Sequence, residues 1–265
     1  MKNAKERVSR AFGQARSYHQ QAGVQRQVAR QLADRLAGFT RPMKPRILEV
    51  GCGTGFLSRY LLDRWPDSPV LLTDLSPPMV QRCQQHLGPI DPERVQFLVM
   101  DAENPCTDGP FDLIVSSLVF QWFEQPFVTV EKMVQRLAPG GRLVFTTLGP
   151  ESFAEWRRLC TENQVPCGLH DYPEPDQWQS AWPDSGQGEM AHWRITEDHP
   201  SAYSFLRGLK VVGAALPSDQ HQPATVPELR RLLKRFAIEN RTFQITYHIM
   251  YGCFTKYGTG PTDHD

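Results

Sequence analysis

From residue 46 onward, apolar positions come in short dense runs, separated by stretches where they recur every three or four residues. The dense runs are 46–50, 70–74 (Val-Leu-Leu-Thr-Asp), 95–100, 111–117 and 141–147. Rich in branched residues and without a polar face, they read as strands buried on both sides. The intervening stretches 56–65, 77–87 and 126–138 keep their apolar residues on one helical face. Ser76 and Pro77 suit the cap and first position of the second helix, and Pro139-Gly140-Gly141 ends the third. Strand–helix alternation of this kind predicts an α/β fold with a doubly wound, mostly parallel sheet.

The flanks follow other rhythms. Residues 1–45 read as an N-terminal helical lid or cap segment. After residue 150, helices are expected at 151–164, 201–215 and 226–238, and strands at 191–197 and 243–255. Residues 165–190, rich in Pro, Gly, Asp and Trp, read as a loop or lid within a substrate-side insertion spanning about 165–222. The main domain is therefore placed at 46–255, with 256–265 a flexible, polar tail.

Composition narrows the classes. The 265 residues carry no net charge, which argues against nucleic acid as the main partner. No apolar stretch reaches the length of a membrane span. Six scattered cysteines, without a C-x-x-C, imply reduced thiols in a cytoplasmic protein rather than a metal or disulfide framework. Up to Arg46, Lys and Arg outnumber the acids Glu6 and Asp34 by eleven to two. That imbalance fits an organelle leader or a basic helix belonging to the fold.

The candidate chemistry lies at strand ends, where sheets of this class bind ligands. Ile47-Leu48-Glu49-Val50 runs into Gly51, Gly53 and Gly55, then into a helix. Glycines there allow positive φ and close approach of a ligand to the backbone. The third glycine comes one place too early for G-x-G-x-x-G, and no Gly-Lys-Ser/Thr follows, so dinucleotide and P-loop readings both fail. Asp74 ends the second run, 19 residues past Gly55, where a carboxylate can accept from both ribose hydroxyls. Asp101-Ala102 follows the third run and suits an adenine. Leu75 adjoins Asp74, and Ser117 closes the fourth run. Glu49 would orient the loop or take an ammonium group.

Together these features resemble the class I S-adenosylmethionine-dependent methyltransferases over residues 46–150, a Rossmann-like fold. The resemblance implies S-adenosylmethionine as methyl donor. At the end of the fourth run the chain has Ser-Ser-Leu-Val-Phe-Gln-Trp in place of Asn/Asp-Pro-Pro-Tyr, and it lacks a Pro-Cys nucleophile. Base methylation loses ground accordingly.

A closer resemblance extends from about residue 8 to 255. Val8 to Ala15, Ser17-Tyr18, Val24 to Gln27, Asp74 to Met79, Leu118 to Trp122, Phe145 to Gly149, Leu206 to Ala214 and Ile245 to His248 look like the malonyl-acyl-carrier-protein O-methyltransferases of biotin synthesis. This makes the basic N-terminus family sequence. It implies methylation of the free carboxylate of malonyl-acyl-carrier protein or malonyl-CoA, with no nucleic acid, membrane or metal involved. Carried over by position, Tyr18 would close over the donor, and Gln121 and Trp122 would border the methyl. His170 stands where an arginine is expected in relatives, and Asp171 has no counterpart. Arg207 would hold the malonyl carboxylate, or would join Lys210, Arg230, Arg231, Lys234 and Arg235 in a basic surface for an acidic carrier. Ala215 replaces the family's usual polar residue, and Ser17 occupies a variable position. Two other functions stay open: methylation of another small acceptor such as a quinone ring, and a non-catalytic, S-adenosylmethionine-binding assembly factor.

Overall fold

The computed structural model describes residues 4–15, 18–39, 42–211, 224–239 and 242–258. Along the chain come helices α1 (Ala4–Gln14), α2 (Tyr18–Gln21) and α3 (Gly23–Arg35), then β1 (Ile47–Val50), α4 (Phe56–Arg64), β2 (Val70–Asp74) and α5 (Pro77–Leu87). Next are β3 (Val95–Val99), β4 (Phe111–Ser117), α6 (Pro126–Gln135), β5 (Leu137–Leu148), α7 (Ala154–Glu162) and α8 (Pro175–Ser180). The chain ends with β6 (Gly186–His199), α9 (Ala202–Val211), α10 (Val226–Glu239) and β7 (Phe243–Lys256). The seven strands form one sheet in the order β3-β2-β1-β4-β5-β7-β6. Strands β1 to β5 pair in parallel, as the alternation of runs requires. The order reverses between β1 and β4, and that switch point is where such sheets receive ligands.

By contacts the chain divides into two units. The core unit holds Gln25–Thr147, Glu174–Ala191 and Met250–Asp265; the second unit holds Met1–Val24, Leu148–Pro173 and His192–Ile249.

In the core unit, the branched residues of β1 and β4 are buried among Met133, Phe145, Met250 and Phe254. Phe120 stacks on Phe145 at 4.2 Å between centroids, and Trp178 meets Phe127 edge-on at 5.0 Å. Gly252 is required by this packing, since a Cβ there would lie 2.6 Å from the Phe145 ring. The segment expected to be a loop, 165–190, instead carries α8 and the start of β6. Its Trp178 is fully buried, so apolar area overrides the Pro- and Gly-rich composition.

A second departure concerns β5, which begins at Leu137 rather than 141. Leu137 pairs with Phe111, the register then shifts, and the ladder resumes with Leu113 beside Arg142. Pro139-Gly140-Gly141 thus forms an irregularity inside a strand instead of a helix stop. Gly141 is needed there because a Cβ would fall 2.9 Å from the Ala138 and Phe111 carbonyl oxygens. Ser76 occupies the cap of α5, but its buried hydroxyl makes no capping bond.

The second unit is held by a separate aromatic cluster of Phe153, Trp156, Phe205, Phe243 and Tyr247. Glu155 on α7 accepts from the Thr246 hydroxyl at 2.6 Å and from its backbone N–H at 3.0 Å. Helix α9 packs against α2 and α10. The helix expected through 215 is described as far as Val211.

Candidate functional site

In the core unit the strand register brings the predicted ligand residues to one edge. Val50 pairs with both Thr73 and Ser116, so Gly51, Asp74 and Ser117 each follow a residue of the same rank. Asp74 pairs with Val99, and Asp101 comes two residues later.

The three glycines serve three purposes, although all have positive φ. A Cβ on Gly51 would meet Val119 Cγ2 at 2.3 Å. One on Gly55 would press on Cys83 Sγ at 3.2 Å, so this glycine lets α4 and α5 approach. At Gly53 a Cβ would meet nothing within 4 Å, so the loop is open to solvent there. Gly55 also caps α4 without a side-chain capping bond, and the first N–H groups of a helix have no partner within the helix itself.

Two carboxylates flank the loop. Asp74 accepts the Gly53 N–H at 3.0 Å and the Ser76 N–H at 2.8 Å. It therefore shapes the glycine loop from the next strand, and its second lone pairs remain able to accept ribose hydroxyls. The surrounding protein strips it of solvent, pushing its pKa up to about 6 against the two N–H bonds. Glu49 is almost wholly buried, and its Oε2 has no hydrogen-bond partner. Burial pushes its pKa up to about 8, with a hydrogen bond from Ser58 opposing and the charge of Asp74 adding to the rise. An unsatisfied buried carboxylate oxygen costs free energy unless a donor reaches it.

Further along the edge, Asp101 accepts the Glu103 N–H at 3.0 Å and the Asn104 side-chain amide at 2.9 Å. Ala102 beside it is buried. Leu75 and Ser117 are half-buried at their strand ends. Leu118 adopts φ of +54°, an uncommon state for a branched residue and one that clusters at functional sites. Its carbonyl accepts from the Gln121 amide at 2.8 Å, while Gln121 Oε1 accepts from the Thr147 hydroxyl at 3.3 Å. Gln121 is thus locked in place, and Trp122 sits in the same short 3-10 turn. Val119 and Thr147 lie in motifs that the sequence reading singles out, but their roles, covering Gly51 and orienting Gln121, are not read there. Neither role has a local signal, because both residues act on others far along the chain.

The second unit holds Tyr18, His170 and Arg207. Tyr18 opens α2 and meets Phe12 edge-on at 6.1 Å. His170 is half-buried, and its carbonyl accepts from Arg157 Nη2. Arg157 also donates to the Ser152 carbonyl at 3.3 Å, pairs with Asp171 at 3.3 Å and lies over the Tyr172 ring. This arginine, unremarked in the sequence, pins the segment that carries His170 and gives Asp171 a structural role. Arg207 is exposed on α9 with Lys210 one turn on, and Arg230, Arg231 and Lys234 are exposed on α10. Ser17, Ala215 and the side chain of Arg235 lie outside the described residues, as do Val212 to Ala214 and the tail beyond 258.

No group of three metal-ligating side chains occurs among the described residues. All six cysteines are free thiols. The core-unit edge therefore offers an open glycine loop at a helix N-terminus, a buried oxygen lacking a donor, and two further carboxylates. That donor and acceptor set fits a ligand with a cationic amine, a diol and an adenine-like amine.

Known proteins resemble this chain over the core strands and beyond them. Residues 48–145 match the family model for a methyltransferase domain. Across 254 residues the chain is 44% identical to the malonyl-[acyl-carrier protein] O-methyltransferase of Magnetococcus marinus, covering 96% of this chain and 94% of that one. It is 36% identical to the biotin biosynthesis bifunctional protein BioCD of Bordetella avium, over 90% of this chain and 50% of that longer one. Among solved structures, the N-methyltransferase NodS of Bradyrhizobium japonicum, in complex with S-adenosyl-L-homocysteine, superimposes with a TM-score of 0.56. That match covers 96% of this chain and 99% of NodS at 17% identity, a likeness of fold alone.

Proposed function

The chain belongs to the malonyl-[acyl-carrier protein] O-methyltransferase family, and from that membership we propose that it methylates the free carboxylate of a malonyl thioester, a step of biotin synthesis. The observation that carries the reading is identity across nearly the whole chain, both units included, with a relative of similar length. It is a methyltransferase whose methyl donor is S-adenosylmethionine. When bound, that donor supplies an electrophilic methyl on a sulfonium.

The protein's own work is binding, orientation and exclusion of water. Glu49 Oε2 receives the donor's ammonium, which supplies the hydrogen bonds this oxygen lacks. Asp74 takes the ribose hydroxyls while continuing to hold the loop N–H groups. Gly51, Gly53 and Gly55 leave room for the methionine part, Asp101 and Ala102 receive the adenine, and Leu75 and Ser117 line the ligand. Gln121, held by Leu118 and Thr147, borders the methyl together with Trp122. The acceptor carboxylate is ionised at neutral pH and needs no general base. Rate enhancement then rests on proximity and alignment and on a dry site. Tyr18 serves the donor, as its place in the family implies, while His170 and Arg207 serve the acceptor, and the guanidinium fork of Arg207 suits a carboxylate.

Malonyl-acyl-carrier protein is the proposed partner and malonyl-CoA the competing presenter. No described helix is long and apolar enough to cross a membrane; a cytoplasmic site of action is proposed from the biotin-synthesis reading. The test is transfer of labelled methyl from S-adenosylmethionine to malonyl-carrier protein, with acetyl-carrier protein as control. Formation of a base-labile ester on malonyl alone is expected. Transfer to neither acceptor, with donor binding intact, would overturn the reading and point to a different acceptor.

A further inference from the structure

Helices α9 and α10, in contact within the second unit, each divide into a buried and an exposed face. On α9, Ala202, Phe205 and Leu209 are buried. Tyr203, Arg207 and Lys210 are exposed at i, i+4 and i+7, so they form one stripe. On α10, Leu232 is buried, while Val226, Arg230 and Lys234 are exposed at i, i+4 and i+8, with Arg231 beside them. Each stripe begins with an apolar side chain standing clear of the surface: Tyr203 and Val226 are both 62% exposed. Each then continues into cations.

Cations outnumber acids along the two helices, where α10 carries Glu228 and Glu239. Helix α9 contains no acid, and Glu228 of α10 accepts from the Thr225 hydroxyl at 2.6 Å and from its N–H at 2.8 Å. None of the five makes a hydrogen bond or ion pair among the described residues, although, after the Thr225 hydrogen bonds, the charge of Arg231 helps to hold the Glu228 carboxyl below its usual range. In a chain whose net charge is zero, five exposed cations and two exposed apolar residues on two contacting helices are a local concentration rather than a general property. Rim charges of this kind steer association with an oppositely charged partner, and the apolar residues supply contact area that charge alone does not.

We propose that this two-helix face is the docking surface for the carrier protein that presents the malonyl group, an acidic helical partner. The proposal rests on the malonyl thioester reading and deepens it: the face recognises the carrier and not the thioester. Tyr203 and Val226 make the apolar contacts, and Lys210, Arg230, Arg231 and Lys234 meet carboxylates. Arg207 lies between Tyr203 and Lys210 on the same stripe and is left unchanged in the test, because it is assigned to the acceptor.

The experiment compares three acceptors: malonyl-carrier protein, malonyl-CoA, and malonyl-pantetheine, which has neither carrier nor nucleotide phosphates. The variant is Arg230→Glu with Lys234→Glu. Its kcat/KM for malonyl-carrier protein is expected to fall more than about tenfold, with the loss in KM, while malonyl-pantetheine changes less than about twofold. Raising salt should lower the carrier reaction of the unmodified enzyme and leave that of the variant nearly flat. Calorimetric titration with unacylated holo-carrier protein should show binding only to the unmodified enzyme, independent of chemistry.

Equal loss on carrier and pantetheine would overturn docking in favour of a damaged acceptor site. Loss on carrier and CoA together, with pantetheine spared, would make the face a phosphate reader instead. Unchanged rates on all three acceptors would reduce it to a solvated surface. Failure of the unmodified enzyme on every malonyl thioester, with donor binding intact, would sink the parent reading and this proposal with it.

Discussion

The two units solve different recognition problems by different means. In the core unit the proposed ligand groups are backbone or sit directly at strand ends, and strand register alone lines up Gly51, Asp74 and Ser117. In the second unit the candidates are long side chains on helices and on a pinned segment: Tyr18, His170, Arg207 and the cations of α9 and α10. A site built on a parallel sheet inherits its geometry from the ladder and needs few specific residues. A site built from side chains on separate helices can change its partner without disturbing the sheet. Donor binding and acceptor choice should therefore respond separately to mutation.

The largest expected effect tests where the core unit ends. Trp178 lies in a Pro- and Gly-rich segment but is buried against Phe127 and Phe145. Trp178→Ala should cost about 3–5 kcal/mol, read as a lowered denaturation midpoint. A loss under about 1 kcal/mol would mean that α8 is a surface appendage.

Next comes Gly51→Ala, which adds strain at φ +72° and a clash with Val119. Donor affinity should fall about a hundredfold by calorimetry with S-adenosylhomocysteine, with far-ultraviolet circular dichroism unchanged. Unaltered affinity would remove the glycine loop from the site.

Glu49→Gln gives a smaller effect with opposite signs for stability and binding. In the native protein Glu49 titrates near pH 8 instead of 4.5, so folding takes up a proton between those values. Stability from that protonated form is complete below about pH 4.5 and lost as pH rises through 8. The Gln variant should melt higher than the unmodified protein at pH 8, and the gap should close at pH 5. Donor binding, proposed to need the ionised carboxylate, should tighten about fiftyfold between pH 6 and 8 with release of a proton. Binding by the variant should be weaker at pH 8 and flat with pH. A pH-dependent variant would move the role to Asp74.

The smallest effect separates the units most cleanly. Arg207→Ala should raise KM for the malonyl acceptor about tenfold and leave donor affinity within about twofold. Loss of donor affinity as well would show that the two regions are coupled.

Much of the core unit was legible in the sequence because its rules are local. Dense branched runs mark buried strands, glycines mark positive φ, and an acid after a strand marks its carboxyl end; β2, β4 and α5 were read to the residue. The segment after 150 was less legible. The composition of 165–190 pointed to a loop, whereas burial of Trp178 makes part of it core. Pro139-Gly140-Gly141 looked like a helix stop, yet pairing of Leu137 with Phe111 draws it into β5.

By itself, then, the sequence determined the order of the elements, the glycine loop with its acids, and the family resemblance, all carried by neighbours in the chain. Only the tertiary structure decided that Val119 covers Gly51, that Asp74 holds the Gly53 N–H, that Glu49 Oε2 is buried without a donor, and that Arg157 grips the carbonyl of His170. These depend on burial and on hydrogen bonds between residues 13 to 68 positions apart. Burial, which removes water as the alternative partner, gives such contacts their strength, and no local pattern of residue types encodes it.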